Sequence, residues 1–126
     1  MTRIKALPVL SEHYEQKAVV DWANAVQGRY PELRWLYATP NAAKRSAMTS
    51  SIMKAEGMKS GVPDLCLPVA RRSYHGLYIE MKKKKDSTTS DNQKEWIEQL
   101  NKQGYMAVIC KGADEAIETI KWYLEI

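Results

Sequence analysis

Phenylalanine is absent from this chain, and cysteine and histidine occur only twice each. Cys66 and Cys110 lie in apolar stretches with no C-x-x-C pair and no histidine nearby. That spacing excludes a structural zinc site and a redox pair, so both read as small buried residues in a reducing compartment. His13 and His75 stand alone, which argues against a His-based metal centre or a Cys–His nucleophile. No apolar run approaches the roughly 20 residues of a membrane span. Met1 to Leu10 also lack the apolar stretch of a signal peptide. The expectation is a cytoplasmic protein with no membrane partner and no organic cofactor. No repeat, low-complexity tract or Pro/Gly linker divides the 126 residues, a length that suits one domain. A hydrophobic share of 44% against 27% charged is too apolar for disorder.

What is present punctuates the chain clearly. Ser11 is a good N-cap, and Ala18, Val19, Trp22, Ala23 and Val26 follow at helical spacing up to Gly28, with Pro31 beyond. Arg34 to Thr39 reads as a strand stopped by Pro40. Residues 44 to 56, free of Gly and Pro, read as a helix ending at Gly57. The loop Lys59-Ser60-Gly61-Val62-Pro63 delivers Asp64 to an apolar strand, Leu65 to Val69. After turn-like Arg71 to Gly76, the strand Leu77 to Lys82 alternates Leu77, Ile79 and Met81 with Tyr78, Glu80 and Lys82. A polar loop, a helix at about 91 to 103, a strand Tyr105 to Cys110 and an amphipathic helix ending near Leu124 complete the chain. The order α-β-α-β-β-α-β-α predicts one α/β domain over residues 11–126, with a mixed central sheet flanked by helices. Residues 1–10 are expected to be an irregular lead-in.

Chemistry concentrates between Asp64 and Lys82. If Leu65–Val69 and Leu77–Lys82 pair as an antiparallel hairpin, Asp64 lies opposite the Glu80–Lys82 end, and strand periodicity puts Glu80 and Lys82 on one face. Two carboxylates and an ammonium then converge. Hard oxygen donors of this kind suit Mg²⁺ or Mn²⁺. The metal would polarise a phosphoryl oxygen, and Lys82 would orient the nucleophile or offset developing charge. The same residue types at a strand end are ordinarily just solvated.

A longer pattern adds specificity. Ser11-Glu12 with Gln16, Pro40-Asn41, Lys54-Ala55-Glu56-Gly57, Gly61-Val62-Pro63-Asp64, Glu80-Met81-Lys82, Gln93 and Gly104-Tyr105 follow in order. Together they resemble the VRR-NUC domain, a branch of the PD-(D/E)XK nuclease superfamily, over about residues 11 to 124. The resemblance implies a metal-dependent endonuclease hydrolysing DNA phosphodiester bonds. Asp64 and Glu80 would be metal ligands with the Met81 backbone carbonyl, and Lys82 the catalytic lysine. It also implies an acidic ligand on the first helix. The E-x-x-x-Q spacing favours Glu12, but Glu15 shares its face and remains the alternative. Gln93 heads the apolar face of Trp96, Ile97 and Leu100, and is either an active-site amide or a helix cap. Small stand-alone relatives, mostly from phages and bacteria, resemble Holliday-junction resolvases in fold and can act as homodimers, so branched DNA is the expected substrate.

Positive charge is clustered, within a formal net charge of +4. Lys83, Lys84 and Lys85 directly follow the Glu80–Lys82 strand, where phosphate contact is plausible, and Lys54 joins them. Asn41, Lys44 and Arg45 resemble a family segment placed near the substrate. Arg71-Arg72 and Lys59 add further charge. No basic–aromatic interleaving runs along the chain. Two rivals remain: a DNA-binding or assembly module with this fold and no catalysis, and a nuclease cutting flaps or duplex rather than four-way junctions.

Overall fold

The computed structural model describes residues 11–40 and 46–126. Helix α1, Glu12–Val26, starts at Ser11, whose side chain accepts the Tyr14 N–H. A 3₁₀ turn, Pro31–Trp35, leads to the short strand β1, Tyr37–Ala38. Helix α2 spans Ala47–Ala55, followed by β2, Leu65–Leu67, and β3, Leu77–Lys82. Helix α3, Asp91–Lys102, crosses over to β4, Met106–Lys111, and α4, Ala113–Leu124, closes the domain. The sheet order is β1-β2-β3-β4. β1, β2 and β3 are antiparallel neighbours, and β3 and β4 are parallel. The mixed α/β architecture and its element order are therefore as expected.

Alternation along the strands sorts the two faces of the sheet. Leu65 pairs with Ile79 and Leu67 with Leu77, and all four are buried together with Met81. Val19 and Ala23 from α1 join them, with Ala116, Ile120 and Tyr123 from α4. Each such aliphatic side chain contributes about 1.5–3 kcal/mol when fully buried. The opposite face carries Tyr37, Cys66 and Tyr78, paired across β1, β2 and β3. Glu80 and Lys82 continue that second face, toward α3.

Three boundaries differ from expectation. The first strand, expected from Arg34 to Thr39, is mostly a 3₁₀ turn. Pro31 presets φ for a turn start, and Leu33 and Leu36, three apart, suit the 3₁₀ repeat, with Leu33 buried. The strand expected from Leu65 to Val69 stops at Leu67, because Pro68 has no N–H to continue the ladder. Within the described residues the second helix begins at Ala47, where the Ser46 hydroxyl accepts the Thr49 N–H. Among the described residues no helix is long and apolar enough to cross a membrane.

Candidate active site

The hairpin register brings the acidic residues together. Because Leu65 faces Ile79, Asp64 stands beside the Glu80–Met81 step, and its Oδ2 accepts the Met81 N–H at 2.8 Å. A strand residue directs its N–H and C=O to the same edge, so the Met81 carbonyl leaves β3 on the Asp64 side as well. The backbone around Asp64 is itself held. Thr39 N–H donates to the Asp64 carbonyl at 2.8 Å, and the Thr39 hydroxyl donates to the Pro63 carbonyl. Thr39 went unnoticed in the sequence, where it was one more residue at a strand end.

Glu80 and Lys82 are almost fully buried, at 3% and 4% exposure. Lys82 Nζ lies 3.8 Å from Glu80 Oε1. Gln93 bridges them: its Oε1 accepts from Lys82 Nζ at 2.8 Å, and its Nε2 donates to Glu80 Oε1 at 2.5 Å. An ammonium only donates and a carboxylate only accepts, so this pair dictates which way the amide faces. Gln93 Oε1 also accepts the Ser90 N–H at 3.0 Å, while the Ser90 hydroxyl accepts the Gln93 N–H at 3.2 Å. That reciprocal pair is a capping box at the start of α3. The amide is thus a helix cap that also touches Lys82 and Glu80. A buried ion pair generally costs more desolvation than its attraction returns. This pair sits at the end of β3 and is braced by the cap of α3.

The first helix contributes a different contact. Glu15 is buried, and its Oε2 accepts the Ala113 N–H at 3.1 Å, placing a carboxylate at the start of α4 where unpaired amides favour it. Glu12 is half-buried one turn earlier. Gly112, at φ 88°, joins this corner to β3 by donating its N–H to the Lys82 carbonyl at 2.8 Å. A Cβ there would lie 2.7 Å from Glu15 Oε2 and 2.8 Å from Lys84 Cε. Among the described residues, no three His, Cys, Asp or Glu side chains gather as a metal-binding group.

The basic residues divide. Lys83 is half-buried and Lys84 and Lys85 are exposed on the turn leaving β3, next to the Glu80–Lys82 end. Lys54 is exposed in the last turn of α2. Asn41, Lys44 and Arg45 lie outside the described residues. Arg71 and Arg72 sit at the other end of β3. Arg71 meets Glu32 at 3.4 Å, and Arg72 stacks 3.9 Å over the Trp122 ring and donates to the Trp122 carbonyl. The sequence cluster that contained them therefore splits between two ends of the sheet.

Burial pushes the Tyr78 hydroxyl, on the same sheet face, up to about 12. A hydrogen bond with Cys66 and burial raise Tyr37 similarly.

An antiparallel hairpin that sets an aspartate beside a Glu-x-Lys strand end, with a parallel fourth strand and helices on both faces, defines an α/β domain of nuclease type. The chain belongs to the VRR-NUC family: the VRR-NUC domain model matches residues 2–114. A solved structure described as a VRR_NUC domain protein is 32% identical, with a TM-score of 0.75. That similarity covers 94% of this chain and 91% of the other. No curated protein matches.

Proposed function

We propose that this domain is a divalent-metal-dependent endonuclease that hydrolyses DNA phosphodiester bonds, with branched DNA as its substrate. The observation that carries the reading is the buried Asp64, Glu80 and Lys82 at one end of the sheet, with half-buried Gln93 bridging the last two and Asp64 held on the Met81 N–H. Its donor set fits Mg²⁺ or Mn²⁺: two carboxylates and the Met81 carbonyl are all hard oxygens, and such ions keep several waters besides. A bound ion there supplies Lewis-acid polarisation of the phosphoryl oxygen and eases ionisation of a water.

The chain's own residues do the rest. Asp64 and Glu80 hold the ion, and Asp64 is fixed in turn by the Met81 N–H. Lys82 offsets the negative charge that develops as water attacks phosphorus. Gln93 holds the Lys82 ammonium and the Glu80 carboxylate at one spacing, so neither must reorganise during the reaction. Glu15 anchors the Lys82 end of β3 by accepting the Ala113 N–H with one oxygen, and the acidic ligand from the first helix is Glu12, with Glu15 as the alternative. Lys83, Lys84 and Lys85 contact the phosphate backbone beside the cut, and Lys54 extends that contact. Two copies acting as a homodimer would present two such centres to a symmetric junction.

The test is cleavage of a labelled four-way junction with Mg²⁺ or Mn²⁺, beside flap, linear duplex and single-strand substrates. Paired nicks on opposed junction strands, lost in Lys82→Ala, are expected. Cutting of flaps or duplex alone removes the junction role and keeps the chemistry. Tight junction binding with no cleavage under either metal sinks the catalytic assignment.

A further inference from the structure

Beside this centre, the end of α2, the segment after it and one side of α3 line an open cavity of about 520 Å³. Lys54, Met58 and Lys59 form one wall, and Asn92, Trp96 and Gln99 from α3 form the other. These groups lie far apart in the chain, which is why no basic–aromatic pattern shows along it. The cavity is tied closely to the catalytic network. Asn92 immediately precedes Gln93, and its Nδ2 donates to Ser60 Oγ at 3.2 Å. A Cβ on Gly61 would lie 2.8 Å from the Asn92 backbone, so the loop that leads into Asp64 packs directly on the start of α3.

The lining has the chemistry of a nucleotide site. Its volume falls in the range of roughly 300–1,000 Å³ that small-ligand pockets occupy. The half-buried Trp96 indole beside Met58 offers a flat apolar surface for a base. Asn92 and Gln99 carry amides that both donate and accept, as base edges require. Lys54 and Lys59 are exposed cations, and Glu95 is the one carboxylate in the lining, so the balance favours an anion.

We propose that this cavity receives one unstacked nucleotide of the substrate strand next to the phosphodiester to be cut, its base on Trp96 and its phosphate on Lys54 and Lys59. The proposal rests on the nuclease reading and deepens it. A fully paired duplex keeps its bases stacked and leaves the cavity empty, whereas a strand that is unpaired at the branch fills it.

The experiment titrates a 5′-dye-labelled thymidine tetranucleotide into the protein in EDTA, so that binding is read by anisotropy without cleavage. Wild type is compared with Trp96→Leu, Lys59→Ala and Trp122→Leu, the last changing an exposed tryptophan on α4 away from the cavity. Trp96→Leu is expected to bind roughly tenfold more weakly, the scale of losing one aromatic stack. Lys59→Ala is expected to bind a few-fold more weakly, with its salt slope reduced by about one ion. Trp122→Leu is expected to match wild type. No saturable binding by wild type, or equal affinity in all four proteins, overturns the proposal. Lys59 is exposed, so its loss leaves the core intact. An unchanged affinity and slope in Lys59→Ala therefore overturns the proposal even if Trp96→Leu misfolds. Junction and flap cleavage are measured in parallel. Trp96-dependent binding without any cleavage by wild type sinks the nuclease reading alone. Cleavage by wild type, with binding indifferent to Trp96 and Lys59, sinks the cavity proposal alone.

Discussion

Replacing Lys82 by methionine removes a buried cation and keeps most of the side-chain volume. Two unit charges 3.8 Å apart attract by about 4 kcal/mol at the effective dielectric constant of about 20 that suits protein sites. The substitution also removes the ammonium's hydrogen bond to Gln93 and its pairing with the buried Glu80 carboxylate. Breaking a buried pair from one side typically costs about 3–5 kcal/mol, whereas neutralising both sides is often neutral or stabilising. The double variant Glu80→Gln/Lys82→Met is therefore expected to recover most of what Lys82→Met loses. Urea unfolding in EDTA measures this directly. With a slope of about 2 kcal/mol per molar, a loss of about 3 kcal/mol lowers the midpoint by roughly 1.5 M. The double variant should lie within about 0.5 M of wild type on the same scale. Exposed Lys85→Met should stay within about 0.5 kcal/mol of wild type. Restoring Mg²⁺ should raise the midpoint of Lys82→Met, since an ion that binds only the folded state stabilises it. A single variant as stable as wild type, or a double variant no better than the single, refutes the argument that Glu80 and Lys82 are an energetically coupled buried pair.

Two further substitutions probe the frame around the site. Gly61→Ala should destabilise the fold by about 1–3 kcal/mol, the scale of backbone strain at a positive φ, because φ is 89° and the new Cβ would meet the Asn92 backbone at 2.8 Å. Thermal unfolding checks the loss, and it should come with slower cleavage, because α3 carries Gln93. A variant with wild-type melting and cleavage would show that the loop–helix contact is dispensable. Tyr123 is fully buried and its hydroxyl donates to the Val69 carbonyl at 2.6 Å. Burial raises its pKa above the ordinary 10, so the folded state holds this proton more tightly than the unfolded chain. Its stabilisation is complete below pH 10 and declines as pH rises through the folded value. Melting temperature between pH 8 and 12 should thus fall more steeply in wild type than in Tyr123→Phe, and parallel curves would contradict this.

Much of the site was legible because it lies on local patterns. The alternation of Leu77, Ile79 and Met81 with Tyr78, Glu80 and Lys82 gives the faces of β3, and the turn at Arg71–Gly76 implies the hairpin that sets Asp64 opposite Glu80. What stayed hidden depends on packing between distant segments. A Glu-x-Lys pair at a strand end looks the same whether solvated or buried, and here it is buried with Gln93 of α3 against it. Ser90 and Gln93 have the spacing of a capping box, but spacing does not reveal that the same amide spans Glu80 and Lys82. Glu12 and Glu15 share a helical face, and it is the α4 start that engages Glu15. The first strand was overread because Leu33 and Leu36 fit an extended segment as well as a 3₁₀ turn, and Pro31 decides between them.

Metal-dependent catalysis at Asp64 and Glu80 is tested by single-turnover DNA cleavage over a Mg²⁺ titration by wild type, Asp64→Asn and Glu80→Gln. The wild-type rate should rise with Mg²⁺ and saturate. Both variants should lose on the order of a hundred- to a thousandfold, the scale of removing a group that supports transition-state charge. Wild-type cleavage that persists in EDTA, or an Asp64→Asn protein that cuts at the wild-type rate, would contradict metal-dependent catalysis at these residues.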